Sequence, residues 1–177
     1  MSNIIVQKFG GTSVGSVERI DAVADIIKNA SLSEKIVVVV SAMSGETNKL
    51  VSLAKHFGDN PDKREFDALV STGETISSAL LTMALHSKGV KARSFSATQI
   101  SMKTTSTYSK AKILDVDSNK IMSVIENDTI PIITGFQGVT ETGDITTLGR
   151  GGSDTTAVAI AAQIKACLLY TSPSPRD

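Results

Sequence analysis

The strongest constraint on the fold is an unbroken run of five aliphatic residues from Ile36 to Val40. A strand with one face in water alternates apolar and polar residues, whereas this run has no polar face. We therefore expect a strand that is covered on both faces, as in a parallel sheet between two layers of helices. The 177 residues of the chain are enough for a domain with a substantial core.

Strand-like and helix-like segments alternate along the rest of the chain. Further strands are predicted at residues 4–6, 92–95 and 130–135. Periodicity and composition predict helices at 17–27 (after a Ser16 cap), 50–57, 62–87 with a break at 71–74, 118–125 and 154–165. Residues 103–110 are predicted to be a mobile loop or hairpin, and residues 140–143 a hairpin turn. This alternation favours an α/β fold with a mainly parallel sheet and helices on both faces.

Composition and charge exclude several classes of function. Lys plus Arg and Asp plus Glu number 18 each, which argues against a nucleic-acid-binding or anionic-membrane surface. No apolar run approaches the roughly 20 residues of a membrane span, and the N-terminus lacks a signal-peptide pattern. The single Cys167 fits a reducing cytoplasm.

Two glycine-rich turns between a strand and a helix carry most of the candidate chemistry. Lys8 to Ser13 (KFGGTS) follows the first strand, and Thr146 to Asp154 (TTLGRGGSD) precedes the last helix. Such turns allow backbone N–H groups to approach a phosphate or carboxylate at a helix N-terminus. One turn carries Lys8 and the other Arg150, so we expect a site for two anionic substrates. The first turn lacks the order of a Walker A loop.

Several of these residues have a purely structural interpretation as well. Ser41 and Thr47 follow the aliphatic strand, where their hydroxyl groups would line a pocket or cap a helix. Glu74 would hold a substrate ammonium group, although taken alone it is better explained as a favourable acid in a first helical turn. Ser153 and Asp154 are good N-terminal residues of a helix and can serve a site at the same time.

Five segments of the chain together resemble one known family. They are residues 6–14, 39–43, 71–74, 135–138 and 147–157. In order and spacing they resemble aspartokinase from about Asn3 to Ala166. The resemblance implies the amino-acid kinase fold, a three-layer αβα sandwich, here truncated at its C-terminal side. It also implies ATP- and Mg²⁺-dependent phosphorylation of the β-carboxylate of L-aspartate to 4-phospho-L-aspartate, the first step toward lysine, threonine, methionine and diaminopimelate.

The resemblance also implies roles for individual residues. Lys8, Phe9, Gly10 and Gly11 would bind the phosphates of ATP, and Lys8 and Asp154 would be catalytic. Arg150 would hold the α-carboxylate of aspartate and Glu74 its ammonium group. The whole aspartate site would comprise Ser41, Thr47, Glu74, Arg150, Gly151, Gly152 and Ser153. It implies no metal ligand from the protein.

The chain departs from the family pattern after its last predicted helix. A nucleotide-binding segment and the C-terminal regulatory domains are missing, so we predict a partial catalytic domain at residues 1–166. Residues 167–177 resemble the translation of a sequencing-library adapter and are predicted to be a non-native or disordered tail. We expect this chain alone to be nearly inactive, and the parent to be a cytoplasmic homo- or hetero-oligomer. The alternatives are a natural non-catalytic truncated subunit and another carboxylate or carbamate kinase of the same fold.

Overall fold

The computed structural model of the chain describes residues 3–172, in which strands and helices alternate as the sequence predicts. The strands are β1 (Ile4–Phe9), β2 (Lys35–Val40), β3 (Ala92–Phe95), β4 (Lys103–Thr104), β5 (Ile113–Asp115), β6 (Ile130–Thr134), β7 (Gln137–Val139), β8 (Ile145–Thr147) and β9 (Leu168–Thr171). The helices are α1 (Val17–Ala30), α2 (Glu46–Lys55), α3 (Lys63–Val70), α4 (Thr72–Ser87), α5 (Ser118–Glu126) and α6 (Gly152–Gln163).

Five of the strands form the central sheet, which we call sheet A. Their order is β3-β6-β2-β1-β9, and every pairing between them is parallel. β1 and β2 pair without interruption from Ile4 opposite Lys35 to Phe9 opposite Val40. The aliphatic run therefore lies within the sheet with strands on both sides, as its composition predicts.

Sheet A separates two hydrophobic cores. Val38 and Val40 of β2 pack on one side in the core formed with α1 and α4, whereas Val37 and Val39 pack on the other side in the core formed with α5 and α6. In each core the helices bury their apolar faces against the sheet. The predicted three-layer αβα arrangement is confirmed.

A second sheet, sheet B, was not predicted from the sequence. Its order is β5-β4-β7-β8, with antiparallel β4–β5 and β7–β8 pairs and a parallel β4–β7 pair. Its strands are two or three residues long, too short for an alternating pattern to be visible. Residues 103–110 accordingly begin with β4 and continue as a loop, and residues 140–143 form the predicted turn between β7 and β8.

Three helices differ in detail from their predicted form. The break expected at residues 71–74 is confined to Ser71, so Gly73 and Glu74 lie inside the first turn of α4. α6 begins at Gly152, two residues earlier than expected. The helix predicted at residues 50–57 is α2, which spans Glu46–Lys55 and buries Leu50 and Ala54, whereas Leu53 is exposed and Phe57 lies beyond its end.

The predicted boundary at residue 166 falls just before β9. Leu168–Thr171 pair in parallel with β1 at the edge of sheet A, so these four residues are part of the sheet rather than a disordered tail. Whether residues 167–177 are native stays a prediction, and residues 173–177 lie outside the described part of the chain.

α3 and α4 follow each other so closely that Lys63–Ser87 form one long helical stretch. By length and composition alone it is apolar enough to cross a membrane, and half of its most apolar window is buried inside the protein. Helices in the core of a protein meet the same criterion. The buried carboxylates of Asp67 and Glu74 lie within this stretch.

The two faces of α6 allow a direct test of the core. Ile160 is fully buried against sheet A, whereas Val158 is 56% exposed on the same helix. Ile160→Ala should lower the free energy of unfolding by about 2–5 kcal/mol, because it removes buried methyl groups and leaves a cavity. Urea unfolding monitored by circular dichroism measures the change.

Val158→Ala is the matched control for this change. Its effect should stay within about 0.5 kcal/mol, since it alters an exposed position and alanine favours a helix. Equal destabilisation by the two variants would contradict the placement of α6 against sheet A.

Candidate active site

The two glycine-rich turns meet at one cleft of about 330 Å³ beyond the C-terminal ends of the strands of sheet A. This is the end of an open parallel sheet at which ligands bind. All seven residues predicted to form the aspartate site line the cleft, together with Lys8 and Asp154. The full lining is Lys8, Ser41, Ala42, Thr47, Asn48, Glu74, Phe136, Gly149, Arg150, Gly151, Gly152, Ser153 and Asp154.

Two helix N-termini open onto this cleft. Gly45 precedes α2 and Gly151 precedes α6, with φ angles of 83° and 73° that glycine adopts without strain. In the part of the chain that the structure describes, neither helix has a side-chain hydrogen bond at its N-cap. Backbone N–H groups and the positive ends of the two helix dipoles are therefore available to anionic groups in the cleft.

Lys8 and Asp154 form an ion pair on the floor of the cleft. The Nζ atom of Lys8 lies 2.9 Å from Oδ1 of Asp154, and the exposed fractions of their side chains are 7% and 56%. Lys8 comes from β1 and Asp154 from the first turn of α6, so the pair joins the two motifs. A buried ammonium group is costly unless paired, and Asp154 provides the compensating charge.

Glu74 is the most unusual ionisable group of the cleft. It is 3% exposed, and its Oε1 accepts a hydrogen bond from the backbone N–H of Ala42 at 3.1 Å. Its Oε2 is buried and has no hydrogen-bond partner among residues 3–172. Burial raises the pKa of Glu74 to about 7, and the hydrogen bonds from backbone N–H groups only partly oppose this shift. A cation in the cleft would satisfy the unpaired oxygen.

Arg150 lies in the exposed turn between β8 and α6 and lines the same cleft as Glu74. Hydrogen bonds hold both ends of this turn: the N–H of Leu148 donates to the carbonyl of Phe136, and the N–H of Gly152 to that of Gly149, each at 3.0 Å. In the described part of the chain the guanidinium forms no ion pair, which leaves its planar fork available for a carboxylate.

The predicted phosphate-binding residues are only partly at the cleft. Lys8 lines it, but Phe9, Gly10 and Gly11 do not. The side chain of Phe9 is 2% exposed and packs in the core beneath α1 and α4. The N–H of Gly10 donates to Oγ of Ser172 at 3.0 Å. Contact of these three residues with a nucleotide would have to come from their backbone, and it stays a prediction.

Four lining residues were not predicted as site residues, namely Ala42, Asn48, Phe136 and Gly149. Asn48 follows Thr47 at the N-terminus of α2, and nothing in its sequence context marks it. Phe136 lies in the Gly135–Gly138 segment that supports the family resemblance, and its φ of 70° is unusual for a bulky residue. Such local strain is common at functional sites. Ala42 and Gly149 also lie in segments that support the resemblance, so Asn48 is the one of the four without a signal in the sequence.

A larger cavity, of about 510 Å³, lies at the opposite end of sheet A. Lys35, Lys91 and Asp128 contribute to its walls, and Lys35 is paired with Asp128 at 3.7 Å. Neither glycine-rich turn reaches it. The smaller cleft therefore remains the candidate active site.

Comparison with known proteins places this fold and site in a defined class. The model of the amino acid kinase family matches residues 3–172. The chain belongs to the amino acid kinase family.

Relatives of higher sequence identity carry a more specific name. An aspartate kinase of Pseudomonas putida and an aspartokinase of Geobacillus stearothermophilus are each 54% identical over 171 residues, or 95% of this chain. The chain spans 42% of the length of each relative.

Solved structures similar to this chain carry the same name. The aspartate kinase of Synechocystis is 43% identical, with a TM-score of 0.82 over 97% of this chain and 28% of that chain. Aspartokinase III of E. coli, in complex with aspartate and ADP, is 26% identical, with a TM-score of 0.85 over 96% of this chain and 49% of that chain.

The raised pKa of Glu74 predicts how the free energy of unfolding changes with pH. Between about pH 4.5 and about pH 7 this carboxyl group is ionised in the unfolded chain but protonated in the folded one. The folded state then binds the extra proton, so the free energy of unfolding falls as pH rises through this window. The loss from this group should approach about 3 kcal/mol.

Glu74→Gln removes the ionisation but keeps an oxygen that can accept from Ala42. The stability of this variant relative to wild type should therefore rise across the same pH window, as measured by urea unfolding. Glu46→Gln, at the start of α2, is the control and should keep the wild-type pH dependence. A constant difference between Glu74→Gln and wild type would contradict the buried, unpaired carboxylate.

Proposed function

We propose that this chain is the aspartate-binding and phosphate-proximal part of an aspartate kinase. The reaction is transfer of the γ-phosphoryl group of ATP to the β-carboxylate of L-aspartate. The observation that carries the proposal is the convergence of Glu74, Arg150 and the Lys8–Asp154 pair on a cleft with two open helix N-termini. The named relatives at 54% identity support it.

The cleft offers a complementary group for each charge of aspartate. Glu74 would accept the ammonium group, since its Oε2 is unpaired and buried. Arg150 would bind the α-carboxylate through its two-pronged guanidinium. The hydroxyls of Ser41, Thr47 and Ser153 would orient the substrate, and Gly151 and Gly152 would let it approach the backbone of α6.

Lys8 and Asp154 would act on the transferring group. An oxygen of the β-carboxylate attacks the γ-phosphorus in line, a P–O bond forms, and the bond to the ADP oxygen breaks. Lys8 would stabilise the charge on the phosphoryl oxygens, and Asp154 holds the ammonium in place at 2.9 Å. The acceptor is already ionised at neutral pH, so no base has to remove a proton.

Mg²⁺ would enter with the nucleotide. This ion is usually bound by one or two carboxylates together with substrate phosphates. The resemblance implies no metal ligand from the protein, but Asp154, whose side chain is 56% exposed at the cleft beside Lys8, is a carboxylate that would fit such an arrangement. The ion would neutralise phosphate charge, and the backbone of Phe9, Gly10 and Gly11 would meet the phosphates from the other side.

The remaining parts of the proposal concern the parent protein. Because the chain spans 42% of its relatives, we place the rest of the nucleotide site, the regulatory domains and the oligomer contacts in the remaining length. A cytoplasmic location and a role in the synthesis of lysine, threonine, methionine and diaminopimelate follow from the same proposal.

The role of Arg150 is tested by a substitution that keeps the charge. Arg150→Lys should weaken binding of L-aspartate by about tenfold or more, because lysine cannot form the paired hydrogen bonds of the guanidinium. Isothermal titration calorimetry of the 177-residue chain measures the dissociation constant.

Arg93→Lys is the matched control, since Arg93 lies over the ring of Phe95 rather than in the cleft. Its affinity for L-aspartate should equal that of wild type. The proposal fails if Arg150→Lys binds as tightly as wild type, or if wild type does not bind L-aspartate.

The role of Glu74 is tested by the pH dependence of binding. An ammonium group should bind the ionised form of Glu74, so affinity for L-aspartate should rise roughly tenfold between about pH 6 and about pH 8. Near pH 6, binding should release close to one proton, which calorimetry in buffers of different ionisation enthalpy detects.

Glu74→Gln should bind more weakly and show little dependence on pH over this range. A wild-type affinity that is flat with pH, with no proton release, would argue that the ammonium group binds elsewhere.

A further inference from the structure

One buried carboxylate outside the cleft joins three segments of the chain. Asp67 of α3 is fully buried, and each of its oxygens accepts two hydrogen bonds. Oδ1 accepts from the hydroxyls of Ser109 and Thr147 at 3.0 and 2.9 Å. Oδ2 accepts from the backbone N–H groups of the same two residues, both at 2.8 Å. Asp67 thereby ties α3 to the loop after β4 and to the end of β8.

These bonds lie at the base of the turn that carries Arg150. Thr147 is the last residue of β8, three positions before Arg150. The carbonyl oxygen of Ser109 lies 3.1 Å from the position that a Cβ atom on Gly149 would take. Ser109 has a φ of 64°, a conformation that a non-glycine residue keeps only when its surroundings impose it. Asp67 supplies two of the bonds that impose it.

In the other direction, Asp67 connects to Glu74. α3 ends at Val70, and after Ser71 the chain enters α4, whose first turn carries Glu74. Nε2 of Gln137, in β7, donates to the carbonyl of Ser71 at 2.6 Å and to Oγ1 of Thr75 at 3.2 Å. The helical segment that holds Glu74 and the turn that holds Arg150 are therefore fastened together by Asp67 and Gln137.

We infer that Asp67 is a positioning residue that fixes Glu74 and Arg150 relative to Lys8 and so selects an amino acid whose two carboxylates are as far apart as those of aspartate. The inference rests on the proposed function, in which these two residues bind the ammonium group and the α-carboxylate. Loss of the carboxylate would leave four donors, two of them on buried Thr147, with one acceptor fewer and would release the Arg150 turn from α3.

The test uses Asp67→Asn in the 177-residue chain with two independent measurements. Asparagine keeps the shape of the side chain but directs an NH₂ group at N–H donors. Without any ligand, amide hydrogen exchange at Ser109 and Thr147 should accelerate by about tenfold or more, since local opening becomes easier. Affinity for L-aspartate should fall by about tenfold or more. The ratio of the affinity for L-aspartate to that for L-glutamate should fall by about threefold or more.

Asp144→Asn is the matched control. Asp144 also links α3 to sheet B, through Nε of Arg64 at 2.7 Å, but it hydrogen-bonds to neither Ser109 nor Thr147. Its affinity for L-aspartate and its preference over L-glutamate should stay within about twofold of wild type. An equal loss of affinity in Asp144→Asn would overturn the inference, because any loosening of α3 would then suffice.

A second variant provides the test if Asp67→Asn does not fold. Thr147→Val removes one of the four donors and keeps the backbone bond, and it should change exchange and preference in the same direction by a smaller factor. Unchanged exchange at Ser109 and unchanged preference in the folded variants would overturn the role of Asp67. Absence of L-aspartate binding in wild type, with accelerated exchange in Asp67→Asn, would instead contradict the proposed function.

Discussion

The parallel pairing of β1 with β2 is the constraint on which the rest of the site depends. Six consecutive residue pairs lock the two strands in register, so they end together at Phe9 and Val40. The N–H of Ser41 then donates to the carbonyl of Phe9, and that of Gly135 to the carbonyl of Val40, at 3.0 and 2.9 Å. Three chain segments therefore leave sheet A at its C-terminal end, and a shift of β1 along β2 would separate Lys8 from Asp154.

Among residues 3–172 three charged groups are buried, and their surroundings distinguish structural from functional roles. Asp67 accepts four hydrogen bonds, and Lys8 is paired with Asp154. Glu74 is the exception, because one of its oxygens has no partner within residues 3–172 and its pKa is raised to about 7. A buried group left unsatisfied is destabilising unless a ligand completes it. Its position in the wall of the cleft is where a substrate cation could do so.

Sequence reasoning predicted the helices and four of the five strands of sheet A, because strands of four to six residues and longer helices carry a visible period. It missed β9, whose residues it assigned to a non-native or disordered tail. It also missed sheet B, whose strands are too short to show a period. The residues of the cleft were predicted from glycine-rich turns and from the family resemblance. Phe9 shows the limit of that approach, since a motif residue can have a buried structural side chain. Asp67 was missed for the opposite reason. A polar residue within an amphipathic helix does not reveal that its partners lie far away in the sequence.

The charges of the cleft also fit the proposed phosphoryl transfer, which needs no general base. Asp154 is the carboxylate nearest to Lys8, and the ion pair at 2.9 Å makes it a holder of that ammonium rather than a proton acceptor. A hydroxyl acceptor would require such a base, whereas a carboxylate acceptor is already ionised at neutral pH. Lys8, Arg150 and two helix N-termini supply positive potential for two carboxylates and a phosphoryl group. Glu74 supplies the one negative position that an ammonium group needs, so the charge pattern favours an acidic amino acid as acceptor.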